Sequence, residues 1–206
     1  VDADPIMVEY AAKAGADRVE LYTGPYAEIY AENPKKAIEL YEPAAQFLAQ
    51  TPNIEESIRI KAVRDLKLIA LNRKGSKANN FSFKLPNGNI QQLYQLDSPL
   101  TLLLFFDPDC HTCGEVIEEL KTSESINQSH LKIVAIYPEG DADIWRSYLE
   151  KMPQNWINGH DYQLEVLNKE LYDLNAMPTL YLLDANKHVL VKDGTVRESE
   201  YYLQEN

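Results

Sequence analysis

Cysteine is nearly absent: the 206 residues contain only two, Cys110 and Cys113. Two cysteines cannot build the bridge network that holds small disulfide-rich domains together. Glycine and proline are also sparse, at 8 and 11 residues. With 45% apolar and 25% charged residues, collagen-like repeats and disordered low-complexity chains are excluded. No long apolar run exists. The strongest, Leu100 to Phe106, is interrupted only by Thr101 and falls far short of a bilayer-spanning helix. No charged-then-apolar start with a cleavage site is visible, so no signal peptide is read. A chain that begins with Val1 leaves open whether a leader precedes it. Basic charge is in deficit, with 20 Lys and Arg against 32 Asp and Glu, for a net charge of −12. Nucleic-acid binding is driven by phosphate neutralisation, so an acidic chain without a basic cluster is not expected to bind nucleic acid.

The length allows one large domain or two small ones, each able to bury a core. The charge is uneven: residues 1–74 hold 10 basic and 12 acidic side chains, a balance of −2, and residues 75–206 hold 10 and 20, a balance of −10. Arg73-Lys74-Gly75-Ser76-Lys77 reads as a basic connection between the two parts. Before it, Ile6 to Ala14 reads as a helix stopped by Gly15, Arg18 to Tyr22 as a short strand, and Ala27 to Gln50 and Glu55 to Leu71 as further helices. Residues 1–74 are therefore expected to be mostly helical.

After the connection, strands and helices alternate. Asn80 to Leu85 alternates apolar and polar residues, followed by an Asn87-Gly88 hairpin turn. Leu100 to Phe106 and Leu131 to Tyr137 read as strands buried on both faces. Gly114 to Leu120, Ala142 to Lys151 capped by Asp141, Leu164 to Leu174 and Glu198 to Gln204 read as helices. Thr179 to Leu183 and His188 to Val191 read as a final pair of strands. The expected class is α/β, a mixed sheet with helices on both faces.

The two cysteines sit in Phe105-Phe106-Asp107-Pro108-Asp109-Cys110-His111-Thr112-Cys113, where a buried strand ends and a helix begins. A helix N-terminus offers free N–H groups and partial positive charge, which stabilise a thiolate. Cysteines separated by two residues can close a disulfide across the first turn, leaving the first sulfur exposed and the second shielded. Cys110 would attack a partner disulfide and Cys113 would resolve the mixed disulfide. Downstream, Met177-Pro178-Thr179 enters the strand at Thr179. A proline there holds a special position, and with a cis bond it would leave the Met177 backbone free to pair with an extended substrate.

With these motifs, residues 75–206 resemble the thioredoxin fold, and more narrowly the envelope thiol–disulfide oxidoreductases of the TlpA/ResA type. The resemblance implies that Cys110 is the nucleophile, Cys113 the resolving thiol, and Pro178 a cis proline that touches substrate, with Met177 and Thr179 completing the docking edge. It implies protein dithiols and disulfides as partners, a membrane electron donor, a bacterial periplasmic or envelope setting, and no diffusible cofactor. Two departures stand out. Asp109 replaces the tryptophan usual before the first cysteine. Leu104 replaces the buried acid that many thioredoxins carry six residues before that cysteine. The proton acceptor for Cys113 is therefore not identified, and Glu115 and Glu119 are the nearby candidates. Asp107 and Asp109 oppose a thiolate on Cys110, while His111 and the helix end favour it. Asp109 and His111 are read as the tuning residues.

Other readings stay open: a structural cysteine pair, a binding module that keeps the fold without exchange chemistry, or a C-x-x-C metal site, which needs two more ligands. His130, His160 and His188 read as surface or loop residues, and Trp145 and Trp156 as core or cleft wall. Glu139 to Asp143 lacks the length and terminal Glu of a calcium loop. At the other end of the chain, Ala14-Gly15-Ala16-Asp17-Arg18-Val19-Glu20-Leu21-Tyr22-Thr23-Gly24-Pro25-Tyr26-Ala27 is similar to pyridoxine 5′-phosphate synthase over about residues 1–45. In that family the glutamate at the position of Glu20 lies in the active site of a TIM barrel. Such a barrel needs about 200 residues or more, so synthase activity is not expected of this chain.

Overall fold

The computed structural model describes residues 4–15, scattered positions between 42 and 70, residues 71–174 and residues 176–205. The chain divides into two units, Val1–Ala70 and Leu71–Asn206. In the first unit, helix α1 spans Pro5–Lys13. Asp4 caps it, its Oδ1 accepting the Ile6 N–H at 2.8 Å, and Pro5 follows at the first helical position, where its missing N–H costs nothing. Gly15 ends it with φ of +77°, the left-handed conformation that glycine adopts without strain. Positions 56, 60, 63, 64, 67, 68 and 70 are helical, within the helix expected there. The strand expected at Arg18 to Tyr22, with Glu20, lies outside the described residues.

The second unit carries β1 (Ser82–Lys84), β2 (Ile90–Gln92), β3 (Leu100–Phe105), α2 (His111–Thr122), α3 (Glu124–Gln128), β4 (Leu131–Tyr137), α4 (Ala142–Tyr148), β5 (Ile157–His160), α5 (Glu165–Asn168), β6 (Thr179–Asp184), β7 (Val189–Lys192) and α6 (Val196–Glu205). The strands form one seven-stranded sheet in the order β2-β1-β5-β4-β3-β6-β7. β3, β4 and β5 run parallel, and β1, β2, β6 and β7 join by antiparallel pairing. Successive side chains of a strand point to opposite faces, so the apolar run of β3 fills two cores. Leu102 and Leu104 pack with Ile117, Leu120, Ile126 and Trp145. Leu103 and Phe105 pack with Phe81, Phe83, Val166 and Tyr172. The sheet thus carries helices on both faces, as its class requires.

Three local departures have physical causes. β5 was invisible because Asn158-Gly159-His160 lacks strand-forming side chains. Gly159 is nonetheless required, because a Cβ there would come within 2.5 Å of Phe83 Cδ2 and 2.6 Å of Ile136 Cδ1. His160 is not a surface residue. It is 2% exposed, stacked between Trp145 and Tyr137 with ring centroids at 5.3 and 5.8 Å, and its Nε2 lies 2.7 Å from the Glu139 carbonyl. The helix expected over Leu164 to Leu174 stops at Asn168. Glu170 takes φ of +47°, which turns the chain so that Tyr172 enters the core, 4.8 Å from the Phe105 ring, with its hydroxyl donating to the Asn79 carbonyl at 2.6 Å. His130 is exposed and His188 half-buried in the turn before β7. Trp145 and Trp156 are both buried.

Past β7, Thr195 and Glu198 form a capping box at the start of α6. The Thr195 N–H donates to Glu198 Oε2 at 2.7 Å and the Glu198 N–H to Thr195 Oγ1 at 3.2 Å. Asp193, just before it, is strained and desolvated. Burial pushes its carboxyl up to about 6, and the carboxylates of Asp173 and Glu198 add to the shift against the opposing pull of Lys192. The native state therefore holds this proton between about pH 4 and 6 when the unfolded chain has released it, so stability falls as pH rises through that window. The cost at neutral pH is on the order of 3 kcal/mol. We expect Asp193→Asn to raise the denaturation midpoint at pH 7 and to leave it unchanged at pH 3.5. Equal gains at both pH values, measured by urea unfolding, would show that charge burial is not the cause.

Candidate active site

Pairing places the two functional segments side by side. Phe105, the last residue of β3, lies opposite Thr179, the first residue of β6, and beside Ile136 of β4. The loop leaving β3 therefore meets the loop entering β6 at one end of the sheet. Within the first loop, Asp107 Oδ1 accepts the Asp109 N–H at 2.8 Å, and the Asp107 carbonyl accepts the Cys110 N–H at 3.1 Å. This turn delivers Cys110 to the N-cap of α2. Its Sγ accepts the Cys113 N–H at 3.2 Å, the part a serine or aspartate oxygen plays at other helix starts. The helix begins at His111, three residues before the expected Gly114, because the sulfur itself supplies the cap.

The two sulfurs occupy different environments. Cys110 is half-buried and Cys113 fully buried. The Cys110 thiol donates to the Met177 carbonyl at 3.5 Å, and the Asp107 N–H donates to Cys113 Sγ at 3.5 Å. Burial pushes the Cys113 thiol up to about 12; the hydrogen bond from the Asp107 backbone works against the rise, and Cys110 and the Asp107 charge add to it. The Met177–Pro178 peptide bond is cis, and Thr179 Oγ1 donates to the Ala176 carbonyl at 2.7 Å. Met177, Pro178 and Thr179 thus stand against the cysteine loop.

The remaining predicted residues are spread around this centre. Asp109 is exposed. His111 points outward, its side chain 91% exposed, with Nε2 3.4 Å from Glu115 Oε1. Glu115 and Glu119 are both exposed, and the acid whose charge acts on Cys113 is Asp107. Sequence reasoning missed Tyr137 and Tyr148. Burial raises the Tyr148 hydroxyl, and the charges of Cys113, Glu118 and Cys110 raise it further, so this phenol lies within electrostatic reach of both sulfurs. Burial pushes Tyr137 up to about 12, helped by Glu139, Asp107, Asp141 and Asp109. No motif marks either tyrosine; only their places at the end of β4 and of α4 identify them. Among the described residues, no group of three or more His, Cys, Asp or Glu side chains is placed to hold a metal ion. No helix among them is long and apolar enough to cross a membrane.

Different stretches of the chain match different known proteins. Residues 1–72 match the family model of the pyridoxal phosphate biosynthesis protein PdxJ, a longer match than the first 45 residues on which the resemblance was drawn. Over 72 residues the chain is 51% identical to pyridoxine 5′-phosphate synthase of Bacteroides thetaiotaomicron, covering 35% of this chain and 28% of that protein. A thioredoxin-like protein from Bacteroides caccae superposes with a TM-score of 0.77 at 41% identity, over 82% of this chain and 62% of that one. The C-terminal domain of an uncharacterized protein from Bacteroides fragilis does so with a TM-score of 0.63 at 46% identity, over 65% of this chain and 98% of that one. The chain thus spans less than a third of the synthase and under two thirds of the Bacteroides caccae protein. At lower identity, the thioredoxin domain of a thiol-disulfide oxidoreductase from Bacteroides vulgatus shares the fold, with a TM-score of 0.57 at 18% identity over 65% of this chain and 96% of that one. Residues 98–189 match the thioredoxin-like family model, and the second unit, with its seven-stranded mixed sheet, is a thioredoxin-like domain.

Proposed function

We propose that residues 75–206 exchange disulfides with protein partners, using Cys110 and Cys113 as the reacting pair. The observation that carries this reading is the placement of Cys110 Sγ 3.5 Å from the Met177 carbonyl while Cys113 lies sealed beneath it. An extended partner lying along Met177, Pro178 and Thr179 would present its disulfide to Cys110 and leave Cys113 out of reach. The Cys110 thiolate attacks one partner sulfur, breaking the partner's S–S bond and expelling a thiolate. Cys113 then attacks Cys110, the mixed disulfide breaks, and the second partner thiolate departs. The partner gains two electrons and the chain is left with a Cys110–Cys113 disulfide; the same steps reversed oxidise the partner. The electrons reside on the sulfurs, so no diffusible cofactor enters. Asp109 and His111, flanking the nucleophile, tune its thiolate. The family likeness supports a bacterial envelope setting and a membrane electron donor that resets the pair.

Replacing Cys113 with serine should stop the second step. We expect Cys113→Ser to accumulate reductant-sensitive covalent adducts with a disulfide-bonded protein, resolved on non-reducing gels, while the unsubstituted chain shows only traces. A folded Cys113→Ser chain that forms no adduct would remove the exchange reading and leave a binding module.

A further inference from the structure

Once exchange is accepted, its second step needs a base, since only a thiolate attacks a disulfide and burial pushes the Cys113 thiol up to about 12. The acid common in thioredoxins is absent, with Leu104 in its place. Glu115 and Glu119 sit on the exposed side of α2, and Glu115 faces His111. Among the groups that act on Cys113, the carboxylate is Asp107, whose own N–H donates to Cys113 Sγ at 3.5 Å. The other titratable groups around this space are Cys110 and Asp109 on the loop, Tyr137 at the end of β4 with Glu139 and Asp141 after it, and Tyr148 at the end of α4 with Glu118 of α2 acting on it. Both phenols are held protonated by burial, so neither accepts a proton.

We propose that the Asp107 carboxylate takes the Cys113 proton as the mixed disulfide on Cys110 is resolved. The step balances without an outside reagent. The S–H proton passes to the carboxylate, the Cys113 electron pair forms the bond to Cys110, and the partner's sulfur leaves with the electrons of the broken bond. Two changes of charge favour it. In the mixed disulfide Cys110 carries no charge, which removes one source of repulsion. When Asp107 takes the proton its own charge disappears, which removes another, while its backbone N–H remains directed at the forming thiolate. The turn through Asp107 Oδ1 and the Asp109 N–H explains why an acid here is positioned and not merely near: the same side chain builds the loop that presents Cys110.

The test follows resolution of a Cys110–glutathione adduct, formed with oxidised glutathione on the reduced full-length chain and read by mass spectrometry after acid quench. Asp107→Asn keeps the oxygen that accepts the Asp109 N–H but cannot take a proton. We expect it to resolve the adduct on the order of 100-fold more slowly, the usual scale of general-base catalysis, with a rate that climbs with pH where the unsubstituted chain levels off. Glu118→Gln, at an exposed position of α2, removes an equal charge without removing the base and should keep both rate and pH profile. Asp107→Glu keeps the carboxylate and should recover much of the loss, and it carries the test if the asparagine variant does not fold. Resolution by Asp107→Asn at the unsubstituted rate and pH profile, or equal slowing by Asp107→Glu and Asp107→Asn, would overturn the assignment. Absence of any adduct in the unsubstituted chain would instead remove the exchange reading on which the assignment rests.

Discussion

Cys110→Ser will bring disulfide exchange to the uncatalysed background, a loss of at least about 1,000-fold. The size of the effect follows from chemistry: the thiolate is the nucleophile, and a serine hydroxyl at its ordinary acidity does not attack a disulfide. Cys113 cannot substitute, because it has 0% exposure and its thiol is pushed up to about 12, chiefly by burial. The fold should survive the change. Cys110 is the N-cap of α2, with Sγ accepting the Cys113 N–H at 3.2 Å, and serine is among the best residues at that position. Loss of activity with unchanged melting therefore separates chemistry from structure. The measurement is dithiol-driven reduction of a protein disulfide, followed beside thermal unfolding of the same sample. Retention of a tenth or more of the activity would place the nucleophile elsewhere.

The largest stability effect is expected at Phe105. This side chain is 0% exposed, with its ring 5.7 Å from Phe81 and 4.8 Å from Tyr172. Truncating such a ring removes buried apolar area and leaves a cavity that rigid strands cannot close, and phenylalanine-to-alanine changes in cores cost about 3–5 kcal/mol. A domain of this size is stable by about 5–15 kcal/mol, so Phe105→Ala should consume a large share of the total. Urea unfolding should show a much lower midpoint with an unchanged slope. A loss below about 1 kcal/mol would mean the aromatic cluster relaxes around the gap. Because Phe105 pairs with Thr179, some loosening of the docking edge should accompany the loss, visible as a lower exchange rate at temperatures where the variant remains folded.

The parts of the fold carried by local pattern could be read directly. Leu100 to Phe106 and Leu131 to Tyr137 are near-continuous apolar runs, and such runs form central parallel strands. The N-cap role of Asp141 also followed from its place before a helical stretch, and its Oδ1 accepts the N–H groups of Asp143 and Ile144. Elements fixed by tertiary packing could not be read. Ile157–His160 is a strand because β4 and β1 flank it, not because its residues prefer extension. The segment after Asn168 leaves the helix to bury Tyr172, a choice made by Phe81 and Phe105 far away in sequence. Thr195 to Glu198 did carry a local capping signature, and α6 starts at Val196, two residues before the expected Glu198. At the site, the cysteine spacing and Met177-Pro178-Thr179 were legible as motifs. The convergence of Asp107, Tyr137 and Tyr148 was not, because it arises from three elements that meet only in the folded chain.

The sulfur that caps α2 is also the sulfur read here as the redox centre, and this ties helix stability to electron affinity. As a thiol or thiolate, Cys110 offers its lone pairs to the Cys113 N–H. Once joined to Cys113 in a disulfide, it would be a poorer acceptor, and the first turn would lose part of its cap. Whatever free energy the cap contributes thus favours the reduced chain, which makes its disulfide a stronger oxidant of partners and its dithiol a weaker reductant. For a two-electron couple, 1.4 kcal/mol corresponds to about 30 mV. Substitutions that strengthen or weaken the first turn of α2, though they touch neither sulfur, would therefore shift the equilibrium between giving and taking electrons.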